Sequence, residues 1–475
     1  MITAKHARQT IAIIGGGFTG AAIAYHLARW QAAASILVFE PRQRLGAGLA
    51  YDTTHDVLRI NVPATRMSLL PEDEAHFARW LTETKALDGD PAARWKDEES
   101  YPRRATFGAY VAAQIDPLVS ARRLRHVREQ VTSVSREMGR WRIVTAAGTA
   151  IAADYVVIAT THPKPRLPSA LAALAGDPRL LGDGLDSTSL GRIGPDERVL
   201  IVGTGLTAAD VVAILDAQAH RGPITMISRR GLRARAQAPR RVPPYGDFTR
   251  VPAQTVTALL GRVRRAIAEA AAQGVSWHAV IDALRIQGDV VWSALPRDEQ
   301  RRLLRHLRPF WDAHRFRVAP QVEAVLDRKF AAGQLESFAA SLASVAPAGD
   351  GVLVGLRGRR TGTSIERRVD RIIVTTGPAH ADILSQQPYL AELAKNGFVA
   401  LDQTGLGLDT SRDGRAIGHD GKVEPSLFVA GPLARGTFGE LMGLPQVSTY
   451  AAFIAGELVA SIADETLGTN KLSAG

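Results

Sequence analysis

The decisive stretch of this sequence is Gly15-Gly16-Gly17-Phe18-Thr19-Gly20, which matches the pattern G-x-G-x-x-G. It follows a short apolar run at residues 11–14, typical of a buried strand, and it opens an alanine-rich helical segment at residues 18–30. In such a strand–turn–helix unit, the first glycine allows the tight turn, the second lets the backbone approach a pyrophosphate, and the third lets the helix pack on the strand. The stretch therefore predicts a dinucleotide-binding turn.

An acidic residue, Glu40, ends the next apolar run at residues 35–40. A carboxylate about 20 residues after the glycines accepts hydrogen bonds from ribose hydroxyls and repels a 2′-phosphate. The spacing therefore favours FAD or NAD over NADP, and a solvated strand end is the alternative interpretation of Glu40. The residues predicted to bind a cofactor at this first site are Gly15, Gly17, Phe18, Thr19, Gly20, Glu40 and Arg42.

A second fingerprint, Gly203-Thr204-Gly205-Leu206-Thr207-Ala208, has alanine in place of the third glycine. The strand predicted after it ends in Ser228-Arg229-Arg230, where no carboxylate is present. Arginine binds phosphate dianions through two parallel hydrogen bonds, so this site is predicted to prefer NADPH. A merely solvent-exposed role for the two arginines is the alternative. The residues predicted to bind at the second site are Gly203, Thr204, Gly205, Leu206, Thr207, Ser228, Arg229 and Arg230.

The charge distribution agrees with a phosphate-bearing ligand. The net charge is +11, and residues 221–250 contain eight arginines against the single acidic residue Asp247. A solvated basic surface is the alternative, and nucleic acid is not expected because no known binding motif is present. The chain has no cysteine, which excludes disulfides, thiolate metal sites and an internal redox-active disulfide. No other metal-ligand spacing is present either, so no metal is predicted.

The composition is that of a globular chain, with 46% hydrophobic and 22% charged residues. No apolar stretch approaches the roughly 20 residues of a membrane helix, and residues 1–10 do not look like a secretory signal. A cytoplasmic location, with no membrane partner, is therefore expected.

Longer motifs extend along nearly the whole chain. Through them the chain resembles FAD/NAD(P)-binding flavoproteins with two dinucleotide-binding domains, related to flavin-containing and N-hydroxylating monooxygenases. The motifs that carry this resemblance are Gly46-Ala47-Gly48-Leu49-Ala50-Tyr51, Leu58-Arg59-Ile60-Asn61-Val62-Pro63-Ala64, Met67-Ser68, Phe77-Ala78-Arg79-Trp80-Leu81, Ser228-Arg229-Arg230-Gly231-Leu232, Arg308-Pro309-Phe310-Trp311-Asp312 and Phe428-Val429-Ala430-Gly431-Pro432.

The resemblance implies further FAD contacts. It places the loop with Gly48 and Leu49 and the turn with Asn61 and Val62 along FAD. It also places Gly431-Pro432 beside the isoalloxazine, with Gln446 and Val447 at its pyrimidine edge. The sequence departs from the common family pattern at Ala159-Thr160-Thr161, where many relatives have Ala-Thr-Gly, and it lacks the signature of Baeyer–Villiger enzymes.

Several residues in or beside these motifs are candidates for catalysis. His55, His314 and Arg435 could move a proton or anchor a substrate, as could His162 and Asp312, although a structural role is the more common one for such a histidine. Arg59 and Arg66 are candidates for binding a substrate carboxylate. These assignments rest on the motifs alone.

The predicted fold class is α/β, with two Rossmann-like doubly wound domains and a helical insertion. An FAD-binding domain is expected at residues 1–165 and 370–475, an NADPH-binding domain at 190–250 and about 346–369, and the insertion at 251–345.

The predicted function is that of an NADPH-using flavin monooxygenase. By analogy with the family, a C4a-(hydro)peroxyflavin formed with molecular oxygen would oxygenate the nitrogen of a small amine or amino acid. A reductase or dehydrogenase without oxygen insertion is the alternative, and a non-catalytic nucleotide-binding subunit is a third hypothesis.

Overall fold

The computed structural model describes residues 8–96 and 99–473. Most of the segment in which a secretory signal was judged absent, residues 1–10, therefore lies outside the described residues. The strands are β1 (Gln9–Ile14), β2 (Ala34–Phe39), β3 (Arg125–Val127), β4 (Val131–Glu137), β5 (Arg140–Thr145), β6 (Ala150–Ala153), β7 (Tyr155–Ile158), β8 (Leu180–Leu181), β9 (Val199–Val202), β10 (Ile224–Ser228), β11 (Leu335–Ala348), β12 (Gly351–Gly358), β13 (Ser364–Val369), β14 (Arg371–Val374), β15 (Arg415–Ile417) and β16 (Val423–Val429).

The helices alternate with the strands in both halves of the chain and follow one another directly in between. They are α1 (Phe18–Arg29), α2 (Gly48–Tyr51), α3 (His76–Glu83), α4 (Arg104–Ser120), α5 (Ser187–Leu190), α6 (Leu206–Ala217), α7 (Val256–Ala272), α8 (Trp277–Ile286), α9 (Gly288–Ala294), α10 (Arg297–His306), α11 (Arg308–Arg315), α12 (Pro320–Ala331), α13 (Pro388–Lys395), α14 (Arg435–Phe438) and α15 (Gln446–Ser473).

The first sheet has the strand order β15-β16-β7-β1-β2-β3 and is parallel except for the edge strand β15. Its central strands β1 and β7 are continuous apolar runs whose residues 11–14 and 155–158 are buried. Such runs are typical of parallel strands that are covered on both faces. Helices α1 and α15 pack together beside this sheet, and β4, β5 and β6 form a separate antiparallel sheet. We call these elements the first domain.

The second sheet has the order β13-β12-β11-β10-β9-β14-β8, with parallel pairing from β11 to β8. Two predicted boundaries differ from it. Arg371–Val374 was assigned to the first domain but pairs with β9, and Leu335–Ala348 was assigned largely to the helical insertion but pairs with β10. Both are short or irregular apolar runs whose partners lie far away in sequence, so their pattern did not reveal which sheet they join. We call this sheet with its helices the second domain.

The helical insertion runs from α7 to α11, because α12 packs against α6 of the second domain. The apolar residues of α7 recur at helical spacing but differ in burial: Val256 and Leu259 are buried, whereas Val263 and Ile267 are half-buried. Those two half-buried residues line a half-open cavity of about 470 Å³ formed mainly by the insertion.

Among the described residues, one helix segment, Gln446–Glu465 of α15, is long and apolar enough by length and composition to cross a membrane, with a mean hydropathy of 1.2. This segment is the exception to the expectation that no stretch approaches the length of a membrane helix, and it qualifies by length and composition only. Val447, Ala451, Ile454 and Leu458 are buried at helical spacing, and the helix packs on α1. Packing inside the first domain accounts for its apolar composition.

Candidate cofactor and substrate site

The first glycine fingerprint joins β1 to α1 in a turn that side chains would disrupt. Gly15 has φ +101°, which favours glycine, and a side-chain carbon on Gly20 would lie 1.9 Å from the Gly15 carbonyl oxygen. Gly17, by contrast, has only Gly48 nearby, at 3.5 Å from its would-be side-chain carbon. It is also the N-cap of α1 and offers no side chain to the first amides of the helix. The turn therefore leaves backbone donors for a pyrophosphate at Gly17.

Glu40 follows β2 directly and lies under this turn. Its Oε2 accepts a hydrogen bond from the Gly16 amide at 3.0 Å, and its Oε1 accepts from the Arg42 amide at 3.1 Å and side chain at 3.0 Å. The residue is 4% exposed. The alternative of a solvated strand end therefore does not describe Glu40, which is a buried, oriented acceptor beside the fingerprint.

The loops that the resemblance placed along FAD converge on this turn. The Gly46 amide donates to the Gly16 carbonyl at 2.8 Å, and a side-chain carbon on Gly48 would lie 2.9 Å from Gly17 Cα. On the opposite side, Gly431 packs against Thr19, 2.7 Å from would-be side-chain carbon to hydroxyl. The turn after β16 and the loop with Gly48 therefore flank the start of α1.

Four further predicted FAD contacts differ in their burial and hydrogen bonding. Gln446 begins α15, and its Oε1 is buried without a hydrogen-bond partner among the described residues. Val447 beside it is buried, and Leu49 is 53% exposed. The Asn61 carbonyl accepts a hydrogen bond at 2.7 Å from Gln237, which comes from the connection after β10. An unused buried amide oxygen is a suitable partner for an N–H group of a flavin ring, so these residues fit FAD.

The second fingerprint repeats the geometry in the second domain, between β9 and α6. Gly203 has φ +135°, and a side-chain carbon there would lie 2.2 Å from the Thr375 hydroxyl. Gly205, the N-cap of α6, has no neighbour within 4 Å of such a carbon. The Thr204 hydroxyl lies 2.9 Å from that of Ser228, which ties the turn to the end of β10. Leu206 and Thr207 begin the helix.

The arginines after β10 are exposed and differ in their contacts. Arg229 makes no ion pair with any residue that the structure describes, whereas Arg230 stacks on Phe310 with 5.1 Å from guanidinium carbon to ring centroid. The Gly231 amide donates to the Ser228 hydroxyl at 3.0 Å and fixes the turn that carries them. Arg229 is the first residue after β10, just as Glu40 is the first residue after β2.

Residues 12–163 match a family described as FAD-NAD(P)-binding. This part of the chain is an FAD/NAD(P)-binding domain. The matched residues include the end of β1, the first fingerprint, Glu40 and the strands β2 to β7. A comparison with curated proteins gave no match.

Solved structures resemble the chain far beyond the FAD/NAD(P)-binding domain. The reduced form of ornithine hydroxylase from Pseudomonas aeruginosa has 18% identity and a TM-score of 0.63 over 96% of this chain and 100% of its own. An ornithine N-hydroxylase from Kutzneria sp. 744, with reduced FAD, NADP⁺ and L-ornithine, has 18% identity and a TM-score of 0.64, covering 97% and 100%. The FAD-bound cadaverine monooxygenase of Erwinia amylovora has 13% identity and a TM-score of 0.63, covering 95% and 94%.

At this identity the likeness shows the fold. The predicted fold class is confirmed: the chain is an α/β protein with the architecture of flavoprotein monooxygenases that have two dinucleotide-binding domains. The predicted enzyme class, a flavin-dependent oxidoreductase, and the predicted cofactors agree with these neighbours.

The candidate substrate anchors Arg59 and Arg66 are both ion-paired. Arg59 is buried and pairs with Asp90, which is also buried. Arg66 lies 3.6 Å from Asp282 of α8. For Arg59 the structure replaces the predicted substrate contact with a buried structural pair, because its charge is already neutralised away from solvent. Sequence reasoning had no means to find Asp90 as its partner.

The candidate catalytic residues separate into two groups. His314 and Arg435 line the cavity of the helical insertion, and His314 Nδ1 is 2.7 Å from the Phe310 carbonyl of its own helix. His55 lies instead on the loop after α2, where its Nε2 is buried without a described hydrogen-bond partner. Asp312 is 3.4 Å from Arg308. The structure therefore brings Arg435, His314 and the motif at residues 308–312 together, and leaves His55 apart.

A group of charged residues behind this cavity was not predicted. Glu440 is ion-paired with Arg315 and lies 3.8 Å from Arg285, and all three are buried. Burial lowers the pKa of Arg285 to about 9, with a contribution from Arg66. These residues come from α8, α11 and the segment after α14, so no local pattern in the sequence marks them.

Among the candidate catalytic residues, His162 has a strongly lowered pKa. Its ring is packed edge-to-face on that of His380, with 4.8 Å between centroids, and Nε2 is 3.3 Å from the Met442 sulfur. Burial, followed by His380 and Arg435, lowers the pKa of His162 from 6.5 to about 3. His162 is therefore neutral near pH 7 and does not serve as an acid there.

This shift predicts a dependence of stability on pH. Between pH 6.5 and about 3 the unfolded chain binds a proton at His162 that the folded chain does not, so stability falls as the pH decreases through this window. At pH 5 the loss of stability due to His162 is about 2 kcal/mol, from roughly 1.4 kcal/mol for each pH unit below 6.5. Denaturant unfolding at pH 7 and pH 5 measures the effect. The free energy of unfolding should fall less in His162→Gln than in the parent, and it should fall as much in His419→Gln, at an exposed site, as in the parent. If the stability of the parent and of His162→Gln depends equally on pH, the lowered pKa of His162 is contradicted.

Proposed function

We propose that this chain is an FAD-dependent, NADPH-using monooxygenase that acts on a small molecule. The observation that carries the proposal is the contrast between two equivalent positions. Glu40 after β2 is a buried acceptor that suits a ribose, and Arg229 after β10 is an exposed cation, without an ion pair among the described residues, that suits a 2′-phosphate. One chain thus offers a site for FAD and a different site for NADPH.

The chain's own residues would bind and shield the cofactors. The amides at Gly17, the carboxylate of Glu40 and the amide oxygen of Gln446 fit FAD, whereas Gly205 and Arg229 fit NADPH. FAD, when bound, supplies hydride acceptance from NADPH and electron transfer to oxygen. The protein contributes position, donors and exclusion of water.

The finer proposal is oxygenation at the nitrogen of a small amine or amino acid. Its support is the shared fold with enzymes named for ornithine and cadaverine. The absence of cysteine argues against electron transfer to an internal disulfide. A reductase or dehydrogenase without oxygen insertion is the competing hypothesis. A cytoplasmic location is part of the proposal.

The reaction of the reduced protein with oxygen tests the proposal. The FAD-loaded protein is reduced with NADPH and mixed with oxygen in a stopped-flow instrument, while flavin absorbance and hydrogen peroxide are followed together. A monooxygenase is expected to lose reduced flavin well before peroxide appears. Simultaneous loss of reduced flavin and release of peroxide would favour the reductase, and a colourless protein that cannot be reconstituted with FAD would exclude both enzymes.

The NADPH site has its own test in Arg229→Ala. We expect the Michaelis constant for NADPH to rise about 10- to 100-fold, because a hydrogen bond to a charged group contributes roughly 1.5–3 kcal/mol. The constant for NADH should stay nearly unchanged, since NADH has no 2′-phosphate. Flavin reduction under anaerobic conditions measures both, and Arg250→Ala, at an exposed position of the same basic stretch, is the control. An equal change for both nucleotides would contradict the phosphate role.

A further inference from the structure

The helical insertion, together with Leu406 and residues 435–440, lines a half-open cavity of about 470 Å³ whose walls are almost entirely apolar. This volume lies in the range of small-molecule binding sites, which are commonly apolar with a few polar groups. Transfer of an apolar ligand from water onto such walls is favourable in proportion to the apolar area that it buries. The side chains that form its walls include Val263, Ile267, Ile281, Leu284, Leu303 and Trp311.

The charged groups in the wall are predominantly positive. Arg264, Arg308 and Arg435 contribute cations, and Glu440 is the one carboxylate that the described residues place in the lining. Glu440 is already ion-paired with Arg315 behind the wall, and Arg308 is 3.4 Å from Asp312. Arg264 is exposed to solvent, so Arg435 is the buried cation of the lining that has no ion pair among the described residues.

Arg435 is the cation that most needs a partner. It is 3% exposed, and its Nε donates to the Gly439 carbonyl at 3.2 Å. It forms no ion pair within residues 8–96 and 99–473. Burial, followed by Arg308, lowers the pKa of Arg435 to about 10, against a smaller raising effect of Asp312, so the side chain is still charged near neutral pH. A buried charge without a counterion is costly, which favours binding of an anion at this place.

We infer that the cavity binds an amphipathic molecule, with a hydrocarbon or aromatic tail among the helices and an anionic carboxylate or phosphate head at Arg435. The head would lie close to the first domain, because α14 begins with Arg435 shortly after the Gly431-Pro432 turn that packs on Thr19. A protonated amine would be repelled by the same arginines. The inference rests on the proposed function in so far as this ligand is the substrate, and it then favours a substrate that carries an anionic head group as well as the nitrogen, as an amino acid does, over a simple amine.

The motif at residues 308–312 fits this role. Arg308, Phe310 and Trp311 all line the cavity, and Phe310 is 42% exposed, which places it at the mouth. Arg230 stacks on Phe310, so the mouth lies beside the turn that carries Arg229. The apolar cavity therefore extends from the vicinity of the NADPH site toward Arg435.

Binding of defined probes tests the inference without enzymatic activity. Titration calorimetry on the full chain would use dodecanoate, dodecyl phosphate and dodecylammonium, each below the concentration at which it forms micelles. We expect at least one of the two anions to bind 10-fold or more tightly than the cation. The stronger of dodecanoate and dodecyl phosphate identifies the head group as carboxylate or phosphate.

Variants then separate the tail site from the head site. Val263→Trp fills the half-buried wall and should weaken binding of the preferred anion at least 10-fold. Arg435→Met removes the charge and keeps the volume, and it should abolish the preference for the anion over dodecylammonium. Arg265→Gln removes an exposed charge of α7 outside the lining and should change neither.

Either of two results would overturn the inference: tighter binding of dodecylammonium than of both anions, or unchanged anion binding in Val263→Trp and Arg435→Met. The same preparations can be assayed for FAD content and for reduction by NADPH. A parent protein that binds none of the three probes but is reduced normally by NADPH would reject this inference alone, whereas a parent protein that neither holds FAD nor is reduced by NADPH would reject the proposed function.

Discussion

Replacing Gly17 with valine is expected to yield a folded protein that contains no FAD. The side-chain carbon itself finds only Gly48 at 3.5 Å, so the fold has room for it. The methyl groups, however, would occupy the space in front of the first amides of α1, where the pyrophosphate must approach the backbone. Flavin absorbance of the purified protein after reconstitution measures the effect, and a fall of at least 10-fold in bound FAD is expected.

The comparison with two other glycines makes this result specific. Gly20→Val should prevent correct folding, because its side-chain carbon would lie 1.9 Å from the Gly15 carbonyl. Gly182→Val, at an exposed position with no neighbour within 4 Å, should keep both fold and flavin. Circular dichroism reports the fold in each case. A normal FAD content in Gly17→Val would reject the first fingerprint as the pyrophosphate site.

The second large effect is expected for Asp90→Ala, which should lower the stability of the protein. Asp90 and Arg59 form a buried pair, so removing the carboxylate leaves a buried cation with no adequate partner. Arg103 Nε, at 3.8 Å from Asp90, would lose the same anion. Such single removals cost about 3–5 kcal/mol. Denaturant unfolding should therefore show a decrease of this size in the free energy of unfolding.

A double variant distinguishes the ion pair from other effects at Asp90. Arg59→Met combined with Asp90→Ala removes both charges and should recover a large part of the lost stability, because a neutral apolar pair has no desolvation cost. Asp196→Ala, which breaks the exposed pair with Arg221, should change stability little. If Asp90→Ala is as stable as the parent while Arg59→Met impairs substrate binding, Arg59 is a substrate anchor after all.

The sequence allowed the dinucleotide turns to be predicted because their chemistry is local. Gly15, Gly17 and Gly20 are contiguous with the strand and the helix that they join, and Glu40 stands at a fixed distance along the same unit. The role of each of these residues can therefore be predicted from its neighbours in the sequence, without knowing how the rest of the chain folds.

The remaining features depend on contacts between distant segments. The buried partners of Arg59 and Arg315 lie in other elements, and charge pairing of this kind leaves no periodic trace. The apolar stripe of α7 illustrates a second limit, since Val263 has the same spacing whether it faces packed core or a cavity. The sheet that Arg371–Val374 joins was likewise determined by its partner β9 and not by its own composition.

The order of the strands also constrains how the chain can fold as it is synthesised. Strand β7 pairs on one side with β1 and on the other with β16, and α15 packs on α1. Both β16 and α15 are made after the entire second domain, so on the ribosome the second domain can complete its sheet while one edge of β7 is still exposed. The glycine turn at residues 15–20 is thus among the last parts of the molecule to be enclosed. Its ligand is therefore expected to bind late in folding.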